Sequence, residues 1–129
     1  MNDHLPTPAS ISWFTLVGIA AALVHYVVAV SLEAWQLTPG WANVCGFALA
    51  FPVSYIGHRR WSFAQQTASH WQALPRFLAV AIAGFAANQL LLISLLHGYS
   101  WLPFWLVLGL VMVVIAVSTY VLSRYWAFK

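Results

Sequence analysis

Four long apolar runs, parted by short polar breaks, organise this 129-residue chain. Residues about 12–34 form the first run, which stops at Gln36-Leu37-Thr38-Pro39-Gly40. The second covers about 41–58 and is followed by the polar stretch Gln65-Gln66-Thr67-Ala68-Ser69-His70. Pro75 opens the third, as a residue suited to the first helical position, and that run reaches about His97. After Gly98-Tyr99-Ser100-Trp101-Leu102-Pro103 the fourth extends from about 104 to 124. None of the runs alternates polar and apolar residues as a half-buried strand would. Only helices or closed barrels satisfy their own backbone in lipid, so the pattern predicts four helices. The second is slightly short against the roughly 20 residues that cross a bilayer core. Trp41 and Trp61 at its margins suit interfacial anchors.

Composition turns four helices into a membrane protein. Charged residues make up 5% of the chain and hydrophobic ones 63%, whereas soluble domains are about 25% charged. Two acidic and five basic residues cannot clothe a soluble surface. No Asp, Glu, Lys or Arg occurs from Ala34 to Gly57, or again from Phe77 to Ser123. The expected architecture is an all-α membrane protein with residues 1–129 forming a single transmembrane domain. The net charge of +3 does not point to nucleic acid, because the basic residues gather at segment ends. The first eleven residues hold no Lys or Arg, and the apolar run after them is too long for a signal h-region. A retained first helix is therefore expected. Cys45 reads as a small packing residue. Without a soluble domain there is little room for a catalytic site, and no enzyme activity, metal or cofactor is expected.

Charge placement sets orientation. Arg59, Arg60 and Arg76 flank the central loop, and Arg124 and Lys129 lie at the C-terminus. With four spans all five share one side, which the positive-inside bias makes cytoplasmic. Both termini then lie inside, and Glu33 falls at the outer end of the first helix.

The two halves also repeat, over about 12–63 and 75–128. Phe14-Thr15-Leu16-Val17 aligns with Phe77-Leu78-Ala79-Val80, His25 with Asn88, and Ser31 with Ser94. A two-residue insertion in the second outer loop then brings Arg59 onto Arg124 and Trp61 onto Trp126. Such halves form two hairpins related by an axis along the membrane normal. His25 and Asn88 fall near mid-membrane, where polar side chains are costly and turn to the bundle interior or a cavity. Asn43 reads as a helix-start residue near the outer interface. Gly18-x-x-x-Ala22, Gly46-x-x-x-Ala50 and Ala79-x-x-x-Ala83-x-x-x-Ala87 read as close-packing faces. Pro52 is expected to kink the second helix and free the carbonyl of Ala48.

The details resemble the GtrA-like family of small four-helix bacterial membrane proteins. That family's second helix opens with Ala-Asn and ends Asn-Arg-Arg-Trp-Thr-Phe; here stand Ala42-Asn43 and His58-Arg59-Arg60-Trp61-Ser62-Phe63. Val17-Gly18 and His25 take the places of Val-Gly and an Asn or Asp in its first helix. Asn88 matches an Asn in its third, and Ser123-Arg124-Tyr125-Trp126-Ala127-Phe128 matches the close of its fourth. His58 for Asn and His25 for an acid or amide are departures, and the second removes any role that needs a carboxylate at position 25.

The resemblance implies binding and transbilayer movement of undecaprenyl- or polyprenyl-phosphate-linked sugars for envelope polysaccharide or O-antigen modification, in the bacterial cytoplasmic membrane. Arg59, Arg60, Arg124 and His58 would then hold the lipid phosphate, since arginine offers phosphate a planar two-pronged donor. Trp61, Phe63, Trp126 and Phe128 would border the prenyl chain. His25, Asn88, Asn43 and Glu33 would mark a headgroup path. A homo-oligomer, most simply a dimer, or a complex with a membrane glycosyltransferase is expected. Two other readings compete: a non-catalytic subunit that recruits or stabilises a polyprenyl-phosphate glycosyltransferase, and a small four-helix multidrug transporter. The last relies on a membrane-embedded carboxylate in the first helix, which this chain lacks. The bland alternatives are orientation signals for the arginines, belt anchors for the tryptophans, interhelical bonding for His25 and Asn88, and a solvated helix end for Glu33.

Overall fold

The computed structural model describes residues 8–62 and 69–122. Four α-helices account for nearly all of them: α1 Pro8–Ala34, α2 Pro39–Gly57, α3 His70–Gly98 and α4 Phe104–Leu122. A π-helical turn, His58–Ser62, continues α2. The described residues contain no strand. Ser12–Ala34 in α1 and Leu74–Gly98 in α3 are long and apolar enough to cross a membrane, and α4 carries a shorter apolar stretch, Phe104–Ser118.

Helix ends follow local chemistry. Gln36 sits at φ 73° and turns the chain between α1 and α2, and Pro39 starts α2 with Thr38 before it. The start of α3 differs from the sequence expectation. Ser69, not Pro75, precedes the first turn, and its backbone N–H donates to Gln72 Oε1 at 3.4 Å. Pro75 lies inside the helix. The apolar run does begin at Leu74, so hydropathy marked where the greasy segment opens while Ser69 starts the helix a turn earlier. Pro52 is likewise contained within α2, and a π-helical turn follows at His58, whose N–H reaches both Ser54 O and Tyr55 O.

The helices form a ring in which each packs antiparallel on its neighbours: α1 on α2, α2 on α3, α3 on α4, and α4 back on α1. An offset of 63 carries α1 onto α3 to within a residue at either end, and an offset of 65 carries α2 onto α4 at both ends. Burial follows the same offsets. Ala29 and Leu92, His25 and Asn88, Ala42 and Val107, and Asn43 and Leu108 are all buried. The first hairpin uses small residues where the second uses large ones. In α1, Val17, Ala21, His25 and Ala29 recur every four residues and face Ala42, Gly46, Ala50 and Gly57 of α2. A Cβ on Gly46 would lie 2.6 Å from His25 O, and one on Gly57 2.6 Å from a Val17 methyl. The α1–α2 contact is therefore the closest in the bundle. The large residues Leu92, Phe104, Val107, Leu108 and Val111 join Ala29 and Ala42 in the main apolar core.

This core fills the end of the bundle that carries the α1–α2 and α3–α4 turns, here called the far end. The opposite end carries Arg59 and Arg60 and is called the basic end. Of the three small-residue faces expected to pack, only Gly46/Ala50 is buried. Gly18 meets nothing within 4 Å, and Ala22, Ala79, Ala83 and Ala87 stay exposed on the single chain.

Candidate functional site

Beside the far-end core, three helices meet through amide and imidazole groups. His25 Nε2 lies 2.7 Å from Asn43 Oδ1. Asn43 Nδ2 uses one hydrogen on Asn88 Oδ1 at 2.8 Å and the other on Gln89 Oε1 at 2.7 Å. Since Asn43 presents its oxygen to the ring, His25 Nε2 is the donor. Gln89 Nε2 in turn donates to Gly40 O at 3.1 Å. Asn43 is fully buried, and His25 and Asn88 nearly so. The hub ties α1, α2 and α3 together, and α4 is held separately by Tyr26 Oη donating to Trp105 O at 2.9 Å. An unpaired amide in an apolar interior is costly, so the hub fixes the relative heights of its three helices.

Sequence spacing paired His25 with Asn88 as matching positions in the two halves. The structure joins them through Asn43, which sits one turn into α2 rather than at its very start. Gln89 and Tyr26 were missed. Each directly follows a residue that was singled out, and an uncharged polar residue inside an apolar run was the available signal. Glu33 lies half-buried near the far end of α1, away from the hub by about two helical turns, or roughly 12 Å at 1.5 Å per residue.

A cleft of about 240 Å³ extends from the hub toward the basic end, and all four helices line it. Its polar groups are His25 and Asn88 at the hub and Ser54 nearer the basic end; Ala, Gly, Phe, Met and Ile make the rest. Ala22, Gly84 and Ala116 line it yet are exposed, so it opens sideways. Val17 in α1 packs on Gly57, whereas its counterpart Val80 in α3 is 75% exposed.

Aromatic rings continue from the cleft to the basic end. Phe85 stacks on Phe47 at 4.5 Å, Phe47 contacts Phe51, and Phe51 reaches Tyr55 and Phe77. Phe77 then meets the His58 ring at 5.9 Å, and His58 meets Phe14 at 4.6 Å.

The π-helical turn divides the basic motif between two faces. His58 is buried among those rings. Arg59 is half-buried, with its Nη1 inside the protein. Arg60 is exposed, its guanidinium 5.4 Å from the centre of the Trp61 ring, and Trp61 stacks on Trp13 at 5.7 Å. The turn is π-helical, a geometry that recurs at functional sites. Phe63, Arg124, Trp126 and Phe128 lie outside the described residues. No group of three or more His, Cys, Asp or Glu able to hold a metal occurs among the described residues.

No curated protein and no solved structure matches this chain. The family model described as GtrA/DPMS, transmembrane domain, matches residues 13–128, which takes in all four helices and both arginine–aromatic tags. The chain therefore belongs to the GtrA/DPMS transmembrane-domain family and is a membrane protein of a family associated with lipid-linked sugars.

Proposed function

We propose that this protein binds a polyprenyl-phosphate-linked sugar at its basic end and moves the headgroup across the bacterial cytoplasmic membrane. The observation that carries this is the cleft between Arg59–Arg60 and the His25–Asn43–Asn88 hub, within a member of a family associated with such lipids. All four helices span the bilayer in this reading, with both termini and the loop of residues 59–76 cytoplasmic.

Arg59 and Arg60, with Arg124, hold the phosphate at headgroup depth, and the two faces of the π-helical turn let one lipid meet cation from inside and outside the bundle. Trp61 and Trp13 keep that end at the interface. A headgroup moving inward meets Ser54, then His25 and Asn88, then Asn43 and finally Glu33 beyond the apolar core. Passage requires the hub to part. No bond is made or broken by the chain itself. The exposed small-residue faces of α1 and α3 support a second copy, or a membrane glycosyltransferase, packing there; a mass measurement in nanodiscs that finds only active monomer would remove this part.

The test uses purified protein in vesicles loaded on one side with a labelled polyprenyl-phosphate sugar. Protein-dependent appearance of label on the other side is expected. If no transfer occurs but an added glycosyltransferase is stabilised or activated, the chain is an assisting subunit instead.

A further inference from the structure

We propose that the cleft seats the isoprene units next to the phosphate, so that the protein recognises a branched isoprenoid chain as well as a charged headgroup. This rests on the lipid-phosphate reading above. A phosphate held by Arg59 and Arg60 lies at the basic end, and the part of the same molecule that runs inward from there is the hydrocarbon chain, not the sugar. The next surface inward is the aromatic file His58, Phe77, Tyr55, Phe51, followed by the cleft.

The lining suits that occupant. The cleft contains no Asp, Glu, Lys or Arg, and between the hub and Ser54 it is lined by Phe47 and Phe51 of α2, Ala81, Gly84 and Phe85 of α3, and Met112 and Ile115 of α4. Flat rings beside the short side chains of Ala81 and Gly84 leave room into which a branched methyl can drop. A straight acyl chain would leave part of it unfilled, and an unfilled slot forfeits dispersion contacts. Size agrees: an apolar cavity of about 150 Å³ takes a benzene-sized hydrocarbon, so about 240 Å³ takes one or two isoprene units.

The chain cannot continue past the hub, where Asn43 and the core around Leu92 and Leu108 close the bundle. It must leave sideways past Ala22, Gly84 and Ala116. His25 and Asn88 become available to the headgroup only once the chain has swung out through that opening.

Gly84 gives a clean variant, because a Cβ there meets nothing within 4 Å. Gly84→Leu puts a bulky apolar side chain at the cleft's lateral opening. Gly98→Leu is its control, at the last residue of α3, with equally open surroundings and no place in the cleft lining. The protein in nanodiscs is titrated with geranylgeranyl phosphate, with the unbranched saturated alkyl phosphate of equal carbon count, and with a sugar-bearing polyprenyl phosphate. Wild type should prefer the isoprenoid phosphate by at least about tenfold. Gly84→Leu should lose that preference and Gly98→Leu should keep it.

Equal binding of the branched and straight phosphates by wild type, or unchanged binding by Gly84→Leu, overturns the isoprenoid seat and leaves phosphate binding standing. Weakening of only the sugar-bearing ligand by Gly84→Leu overturns it too, assigning the cleft to the headgroup. Binding of none of the three by wild type removes the lipid-phosphate reading itself.

Discussion

Tyr26 and Gln89 make the same contact from opposite halves of the bundle. The offset of 63 that carries α1 onto α3 carries Tyr26 onto Gln89, and the offset of 65 that carries α2 onto α4 carries Gly40 onto Trp105. Tyr26 Oη donates to Trp105 O at 2.9 Å, and Gln89 Nε2 donates to Gly40 O at 3.1 Å. Each bond runs from the long helix of one hairpin to the second residue of the short helix in the other. Interhelical bonds in membranes contribute about 0.6 kcal/mol on average and up to roughly 1.7. Tyr26→Phe should fall within that range in a denaturant titration in micelles. Gln89→Leu should cost more, because it also strips an acceptor from Asn43. A smaller loss for Gln89→Leu than for Tyr26→Phe would contradict this coupling.

Asn43 can be tested against its own counterpart, since the equivalent buried residue of the second hairpin is Leu108. Asn43→Leu keeps an apolar interior possible but leaves His25 Nε2 and the oxygens of Asn88 and Gln89 unmatched. A buried unmatched group costs about 1–3 kcal/mol. Asn43→Asp should be worse, because it sets a buried negative charge against those two acceptor oxygens. The thermal midpoints in detergent should rank wild type above Leu above Asp; an Asp variant as stable as wild type would show that the hub is not assembled this way.

Gly46 and Gly18 separate close packing from mere helix content. Gly46→Ala places a methyl against the His25 backbone carbonyl, which cannot move aside as a side-chain tip can. Overpacking of this kind costs about 1–3 kcal/mol. Gly18→Ala meets open space and should leave monomer stability unchanged. Equal effects of the two in unfolding experiments would mean that α1 and α2 do not meet at Gly46.

For topology, single cysteines at Gln66 and at Thr38, in a Cys45→Ser background, should label from opposite sides of intact cells. Labelling of both from one side would end the four-span arrangement.

The arginines divide between site and signal by a conservative change. Arg60→Lys keeps the charge that orients the chain but loses the planar fork. A charge-assisted bond to phosphate contributes about 1.5–3 kcal/mol, so a ligand role predicts roughly ten- to a hundredfold weaker binding of polyprenyl phosphate. Normal binding by Lys variants at positions 59, 60 and 124 would leave these residues as orientation signals alone.

Much of the fold was legible because apolar runs, Pro and Gly punctuation and the duplicated tag all report on elements that are local in sequence. Even the matching of His25 to Asn88 could be read from spacing. Asn43 as the centre of the hub could not. A helix-start Asn and a buried hub Asn look alike until α3 is placed beside α2. The Gly18/Ala22 and Gly46/Ala50 motifs are equally indistinguishable on paper. Which one is buried depends on the direction α2 approaches from, and a single α1 sequence does not encode that. The start of α3 was misplaced because Pro75 and Ser69 are both good opening signals, and the apolar run began at the wrong one.

The apolar core at the far end has a consequence for which leaflet supplies the ligand. In the proposed reading the arginines orient the chain, while the core of Leu92, Val107, Leu108 and Val111 leaves one half of the bundle to admit a lipid. If the four-span arrangement holds, the lateral opening at Gly84 and Ala116 faces the cytoplasmic leaflet, while the far-end core closes the outer half among the described residues. Insertion and access are thus set by different residues. A chain forced to insert upside down would still fold, and it would draw its lipid from the opposite leaflet.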